Sequence, residues 1–364
     1  MSQRTSEISS TKSMPIHSQA LNLLRFPLAI VIVTVHVFAS KPNGYNATEF
    51  PLFNIAKSFI EAFLHWQSVP IYYFISGFVF FIGLSSWNKD KWIKKIKNRK
   101  NSLLIPFLTW NTLFLLFTIC TADIKNFDIP SILSCYWRYD GVLTGATPTG
   151  MPINFPLWFL RDLMVTVLFT PLMYKLLKKN GKIVLSLLAI VWLMKYFGVI
   201  KFYIPAQAFF FFYFGAYMSI NGKDMIAEFG KHSKFTTLGF IALGIASMYF
   251  YNTNPAIFKA LKALSILFGL FFAFNTAVWL LEKGYCHVNK FLSSTSFFIF
   301  VSHALVYPQV FRIIKLLVSP YSDIGWLIII ITTIVVTSFI LVTGFYLMSR
   351  FTPRFLDFIT GRKG

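Results

Sequence analysis

Cysteine is scarce. Cys120, Cys135 and Cys286 are the only three in 364 residues. No Cys/His spacing has the form of a zinc site, so no metal is expected. A Cys120–Cys135 bridge is one reading; three unpaired thiols are the simpler one. Acidic residues are also few, 13 Asp and Glu against 34 Lys and Arg, which leaves a net charge of +21. Charged residues of both signs make up only 13% of the chain, while 56% is hydrophobic and the mean hydropathy is +0.62. That balance excludes an ordinary soluble domain. No internal repeat stands out. No stretch reads as an appended soluble domain, so chemistry is expected of membrane-embedded segments and their loops.

Apolar runs of about 20 residues, the length that crosses a bilayer core as helix, fill the chain instead. Ten can be marked, at 20–40, 59–85, 103–121, 156–174, 183–199, 203–220, 235–251, 256–281, 291–312 and 326–349. A helical hairpin is expected near 195–205. The runs are too long, and alternate too little, for strands of a membrane barrel. The expected fold is an all-α polytopic membrane protein with about ten transmembrane helices. Basic residues set its orientation. With a cytoplasmic N-terminus, twenty-two of the 34 Lys and Arg fall in cytoplasmic segments and nine on the outer side. Seven lie within 89–100 alone. An even helix count then places both termini in the cytoplasm. The division expected is an N-terminal tail (1–19), a membrane domain (20–349) and a C-terminal tail (350–364). The polar start is too long for a signal peptide. The positive charge sits in short loops beside spans, where it meets anionic headgroups, so membrane lipids and not nucleic acid are its partners.

Ionisable residues inside such runs are expensive and mark function. Arg25 and His36 share the first run. At about 100° per residue, eleven positions make roughly three turns and place both on one face, about 16 Å apart. His36 could act as a general base, since imidazole exchanges a proton near neutral pH. Arg25 either snorkels to headgroups or faces inward to hold a ligand phosphate or carbonyl. Further landmarks follow in order. Pro70 and the Ser76-Gly77 pair invite a kink or a close helix approach. A basic loop with Arg99 and Lys100 runs into Leu103-Leu104-Ile105-Pro106-Phe107. Trp158, Arg161 and Asp162 mark the outer end of one run, where an ion pair is the plain reading. A second membrane histidine, His303, ends Ser296-Phe297-Phe298-Ile299-Phe300-Val301-Ser302-His303. The segment 122–155, rich in Gly, Pro and Thr, reads as a loop or re-entrant cap. Its aromatics, Tyr136, Trp137 and Tyr139, suit either sugar stacking or an interfacial belt.

In this order the landmarks resemble the acyltransferase-3 family of integral-membrane acyltransferases over nearly the whole chain. The resemblance rests on Arg25 with His36, the stretch from Val69 to Gly77, the basic loop entering Leu-Leu-Ile-Pro-Phe, Leu157 to Arg161, and Ser296 to His303. It implies a ten-helix enzyme of the bacterial cytoplasmic (inner) membrane. That enzyme would move an acyl group, acetyl first among candidates, from cytoplasmic acyl-CoA to a hydroxyl of a cell-surface or exported glycan or glycolipid. Acyl-CoA is a co-substrate, and no cofactor is permanently bound. The family's essential His falls on His36 and its Arg on Arg25; Arg25, Arg99 and Lys100 are the expected donor-binding residues. One departure is Ser102, where the family often has a basic residue. Ser76, Trp158, Arg161 and His303 are candidate pocket residues. The competing function is a transporter or flippase for a polysaccharide or lipid-linked glycan.

Overall fold

The computed structural model describes residues 15–40, 46–82, 88–318 and 322–362. Parts of the two expected tails, 1–14 and 363–364, and the end of the second run, 83–85, lie outside them. The described residues form helices and no strand. Five helical stretches are long and apolar enough to cross a membrane: Ile16–Phe38, Lys89–Thr121, Pro255–Glu282, Lys290–Leu317 and Asp323–Phe351.

The first helix, α1 (Ile16–Phe38), carries Arg25 and His36. The second apolar run is broken. It consists of α2 (Pro51–Phe59), a π-helical turn (Ile60–Leu64) and α3 (Ser68–Phe81). The break falls at 65–67 and not at Pro70, which sits in the first turn of α3, where its missing N–H costs little. Glu61 holds the break against the facing helix: its carboxylate accepts from His65 Nδ1 at 2.7 Å and from Lys262 Nζ at 2.9 Å.

The basic stretch is not a loop. It folds as α4 (Lys89–Arg99) and a π-helical turn (Lys100–Leu104) that leads into α5 (Ile105–Thr121). Asn88 caps α4 by accepting from Lys91 N at 2.8 Å, and such caps start helices. Trp92 and Ile96, four residues apart on one face, pack on the core. A short helix, α6 (Ile129–Trp137), lies in the cap segment.

The fourth and fifth expected runs are separated by a break. After α7 (Trp158–Leu168), the helical stretch α8 (Thr170–Tyr196) breaks at Asn180, where φ −135° and ψ 43° leave the helical region. The expected hairpin near 195–205 links α8 to α9 (Ala206–Ile220), and the two pack together. Then come α10 (Met225–Gly230), α11 (Ser233–Phe250), α12 (Pro255–Glu282), α13 (Lys290–Leu317), α14 (Asp323–Phe351) and α15 (Pro353–Thr360). Side chains such as Leu316, Phe339 and Phe351 are at least 70% exposed, an outward face that suits lipid and not water.

The two closest helices are α3 and α9. A Cβ on Gly77 would stand 1.8 Å from the Phe212 carbonyl oxygen, and one on Gly215 would stand 2.1 Å from that of Phe74. The Ser-Gly pair therefore marks a close approach. Helix α1 packs on α13. The two run the same way, since Arg25 shares a cavity with Ser293 and Ser296 while His36 meets His303 further along. This divides the bundle into an Arg25 end and a His36 end.

Candidate active site

His36 sits in the last turns of α1, half-buried among aromatic rings. The imidazole of His303 stacks on it, centroids 5.2 Å apart and planes within 17°. The ring of Phe155 stands edge-on at 4.8 Å. His303 is fully buried. Its Nδ1 points at the carbonyls of Phe300 (2.8 Å) and Ile299 (3.1 Å). Carbonyls only accept, so Nδ1 carries the hydrogen and Nε2 is left as an acceptor. That Nε2 is buried without a partner.

Asn154 was not singled out from the sequence, and it belongs here. It is fully buried. Its Nδ2 donates to Val301 O at 3.1 Å, and its backbone N–H donates to Asn111 Oδ1 at 3.2 Å. Its Oδ1 has no partner. Unsatisfied buried polar atoms are rare enough to need an explanation, and two occur within one residue of His36's ring neighbour or on its stacking partner. The available signal was Asn111, an amide in the middle of an apolar run.

At the Arg25 end lies a cavity of about 600 Å³. Arg25, Arg99, Lys290 and Arg362 line it, together with Ser76, Ser102, Ser293, Ser294 and Ser296; no Asp or Glu is among its lining residues. With no acid among the described lining residues, the four cations offer chemistry that suits a polyanion, since guanidinium groups fit phosphate. Arg25 thus faces inward. The Tyr72 hydroxyl donates to its backbone oxygen at 2.6 Å. Phe159 and Phe300 form the cavity's wall toward His36, 5.4 Å apart and edge to face. His303 is only one helical turn beyond Phe300, about 4.5–6 Å along the axis.

Not every expected residue joins these two places. Lys100 is exposed and does not line the cavity; it follows Arg99, the last residue of α4, by about 100° around the helix, so one lines the cavity and the other is turned out. Trp158 is half-buried, edge-on to Tyr73 at 6.5 Å, and outside the cavity lining. Arg161 is buried in a tether. It donates to Asp162 Oδ1 at 3.0 Å and to the carbonyls of Trp137 (2.8 Å) and Gly150 (3.1 Å). Its guanidinium lies 4.7 Å over the ring of Tyr203, whose hydroxyl donates to Asp162 at 2.7 Å.

The tether anchors a built cap. Cys135, Tyr139, Leu143 and Ile153 form a small core against Leu115 of α5. Tyr136 bonds Thr112, and Tyr139 bonds Thr144, so those two aromatics build the cap while Trp137 is exposed. Arg161→Lys keeps the charge and loses the planar fork. It should weaken the cap by about 1.5–3 kcal/mol, read as faster limited proteolysis between 138 and 153. Unchanged cleavage would mean that the cap stands without the tether. All three cysteines are free thiols.

Comparison with known proteins follows the same outline. The acyltransferase domain family matches residues 18–344, which takes in both histidines, Arg25, Arg99 and Arg161. The chain is 28% identical over 246 residues to Succinoglycan biosynthesis protein ExoH of Rhizobium meliloti (strain 1021). That alignment takes in 65% of this chain and 64% of the relative, so it spans less than two thirds of the relative's length. No solved structure matches the chain. With the match running through almost the whole bundle, from the first turn of α1 to the last turns of α14, the chain belongs to the acyltransferase-3 family.

Proposed function

We propose that this chain is a ten-span enzyme of the bacterial inner membrane, with both termini cytoplasmic. It transfers an acyl group, acetyl first among candidates, from cytoplasmic acyl-CoA to a hydroxyl of a surface or exported polysaccharide. One observation carries the reading: an acid-free cavity with four cations ends one helical turn from the two stacked histidines. The polysaccharide acceptor is suggested by the relative's part in succinoglycan biosynthesis.

In this reading the donor's phosphates lie against Arg25 and Arg99, and its acyl arm points toward His36, with the contacting Phe159–Phe300 pair parting to admit it. Neutral His36 takes the proton of the acceptor hydroxyl as that oxygen attacks the thioester carbonyl. The C–S bond then breaks. The leaving thiolate takes the proton back from the imidazolium, giving an ester and free CoA. Asn154 Oδ1 and His303 Nε2 have no hydrogen to give, so neither suits the oxyanion. Both suit an N–H of the imidazolium or the hydroxyl being activated.

The direct test compares ester acyl groups on the surface polysaccharide by NMR before and after deletion of the gene. Loss of one acyl ester class is expected; an unchanged spectrum overturns the reading. Orientation has its own test. Burial pushes the Cys135 thiol up to about 11, so little thiolate is present near neutral pH and labelling is slow. An impermeant maleimide added outside should label Cys120, which is exposed. It should reach Cys286 only in inverted vesicles and Cys135 only after unfolding. Labelling of Cys286 from outside would reverse the topology.

A further inference from the structure

The last described residues extend past the family match, which stops at residue 344, yet they reach the cavity. Helix α15 buries Leu356 and Ile359. Trp110 Nε1 donates to Ile359 O at 2.9 Å and fixes the helix to α5. Gly361 then turns the chain at φ 66°. A Cβ there would stand 2.2 Å from Asn101 O and 2.6 Å from Ser102 Cα, so only glycine allows both the left-handed turn and this approach. The turn delivers Arg362. Its guanidinium lies 4.8 Å over the Phe345 ring, donates to Ser294 O, and lines the cavity beside Thr360. The neighbour of Gly361 is Ser102, the uncharged residue noted in the sequence, so the tail supplies a cation beside a position that lacks one.

We propose that Pro353–Arg362 is a working part of the donor site, in which Arg362 holds a phosphoryl group of the acyl donor. This rests on the reading of the cavity as the place of acyl-CoA. Two independent features support it. The tail is docked by a geometry that tolerates no side chain at 361, and the residue so placed is a cation that lines the same cavity as three others, with no acid among the described lining residues. Asp357, on α15 itself, is the acid that acts electrostatically on Arg362, and it does not line the cavity. A segment serving only as a strap would have no need to add a charge to a cavity already lined by three cations, since like charges repel.

The test measures equilibrium binding of radiolabelled CoA to the full-length protein in lipid nanodiscs. Arg362→Gln should raise Kd about tenfold, the scale of one charge-assisted hydrogen bond, and should flatten its salt dependence. Arg362→Lys should recover part of the loss. Gly361→Ala, which leaves Arg362 in the chain but displaces it, should match Arg362→Gln. Thermal unfolding of each variant is followed in parallel. Wild-type Kd in both Arg362→Gln and Gly361→Ala, or reduced melting temperature with wild-type Kd, overturns the tail's role and leaves the donor cavity standing. Absence of CoA binding by the wild-type protein overturns the donor reading itself, and the tail's role with it.

Discussion

Replacement of His36 by Ala should lower acyl transfer by about 10²–10⁴-fold, the usual worth of a positioned general base. That range is about 3–5 kcal/mol of transition-state stabilisation. The protein should still accumulate in the membrane, because His36 makes ring contacts with His303 and Phe155 that a smaller side chain leaves without burying a new charge. CoA binding should also persist, since Arg25, the cavity cation on the same helix, stands about 16 Å away along α1, and His36 does not line the cavity. Separate assays of abundance, CoA binding and ester formation check the three statements. Full acylation at normal abundance would remove His36 from the chemistry. Arg25→Gln should give the complementary result, with weaker CoA binding and little change in the rate at saturating donor. The same proteins decide between direct transfer and an acyl-histidine intermediate. Labelled acyl group trapped on wild-type protein without acceptor, and not on His36→Ala, would establish the covalent route. No trapped label under single turnover would favour direct transfer.

Gly77→Val should eliminate folded protein. The Phe212 carbonyl oxygen stands 1.8 Å from where a Cβ at 77 would be, and Gly215 repeats the contact from the other helix. Overpacking a core by a few methylenes costs about 1–3 kcal/mol because side chains rotate away. Here the obstacle is backbone on both helices, so α3 and α9 must separate, and the penalty should exceed that range. The consequence reaches the site, because α3 also carries Tyr72 and Ser76 to the cavity. Gly344→Val is the control: nothing lies within 4 Å of its Cβ position, and a loss of only several tenths of a kcal/mol or no loss is expected for such an open helix site. Detergent-resistant, monodisperse protein for Gly77→Val would show that the helices can part.

Much of the site was legible in the chain because burial of a charged or imidazole group in an apolar run is conspicuous. Arg25, His36 and His303 stand out for that reason, and the structure gathers the two histidines into one stack. Arg99 was legible only as part of a basic cluster. Its separation from Lys100 depends on which side of the helix each residue falls, and charge counting carries no such information. Arg161 was legible as a charge beside Asp162, but its tether to Trp137 and Gly150 joins segments whose proximity no local pattern records. Asn154 and Arg362 were missed for opposite reasons. A lone amide in a loop looks ordinary, and an arginine near a chain end looks like a topology signal.

By itself, then, the sequence determined the helical membrane class, the positions of the apolar runs and the three costly ionisable residues. These follow from local length, hydropathy and the expense of burying charge. Only the tertiary structure decided which cations line a common cavity, that a second histidine stacks on the first, that Ser76-Gly77 is a crossing and not a kink, and that α15 and Arg362 fold back to the Arg25 end. Those outcomes depend on contacts between residues far apart in the chain, such as Gly77 with Phe212 or Gly361 with Asn101. Such contacts are set by how whole helices pack, where one missing Cβ brings backbones together and no neighbouring residue in the sequence announces it.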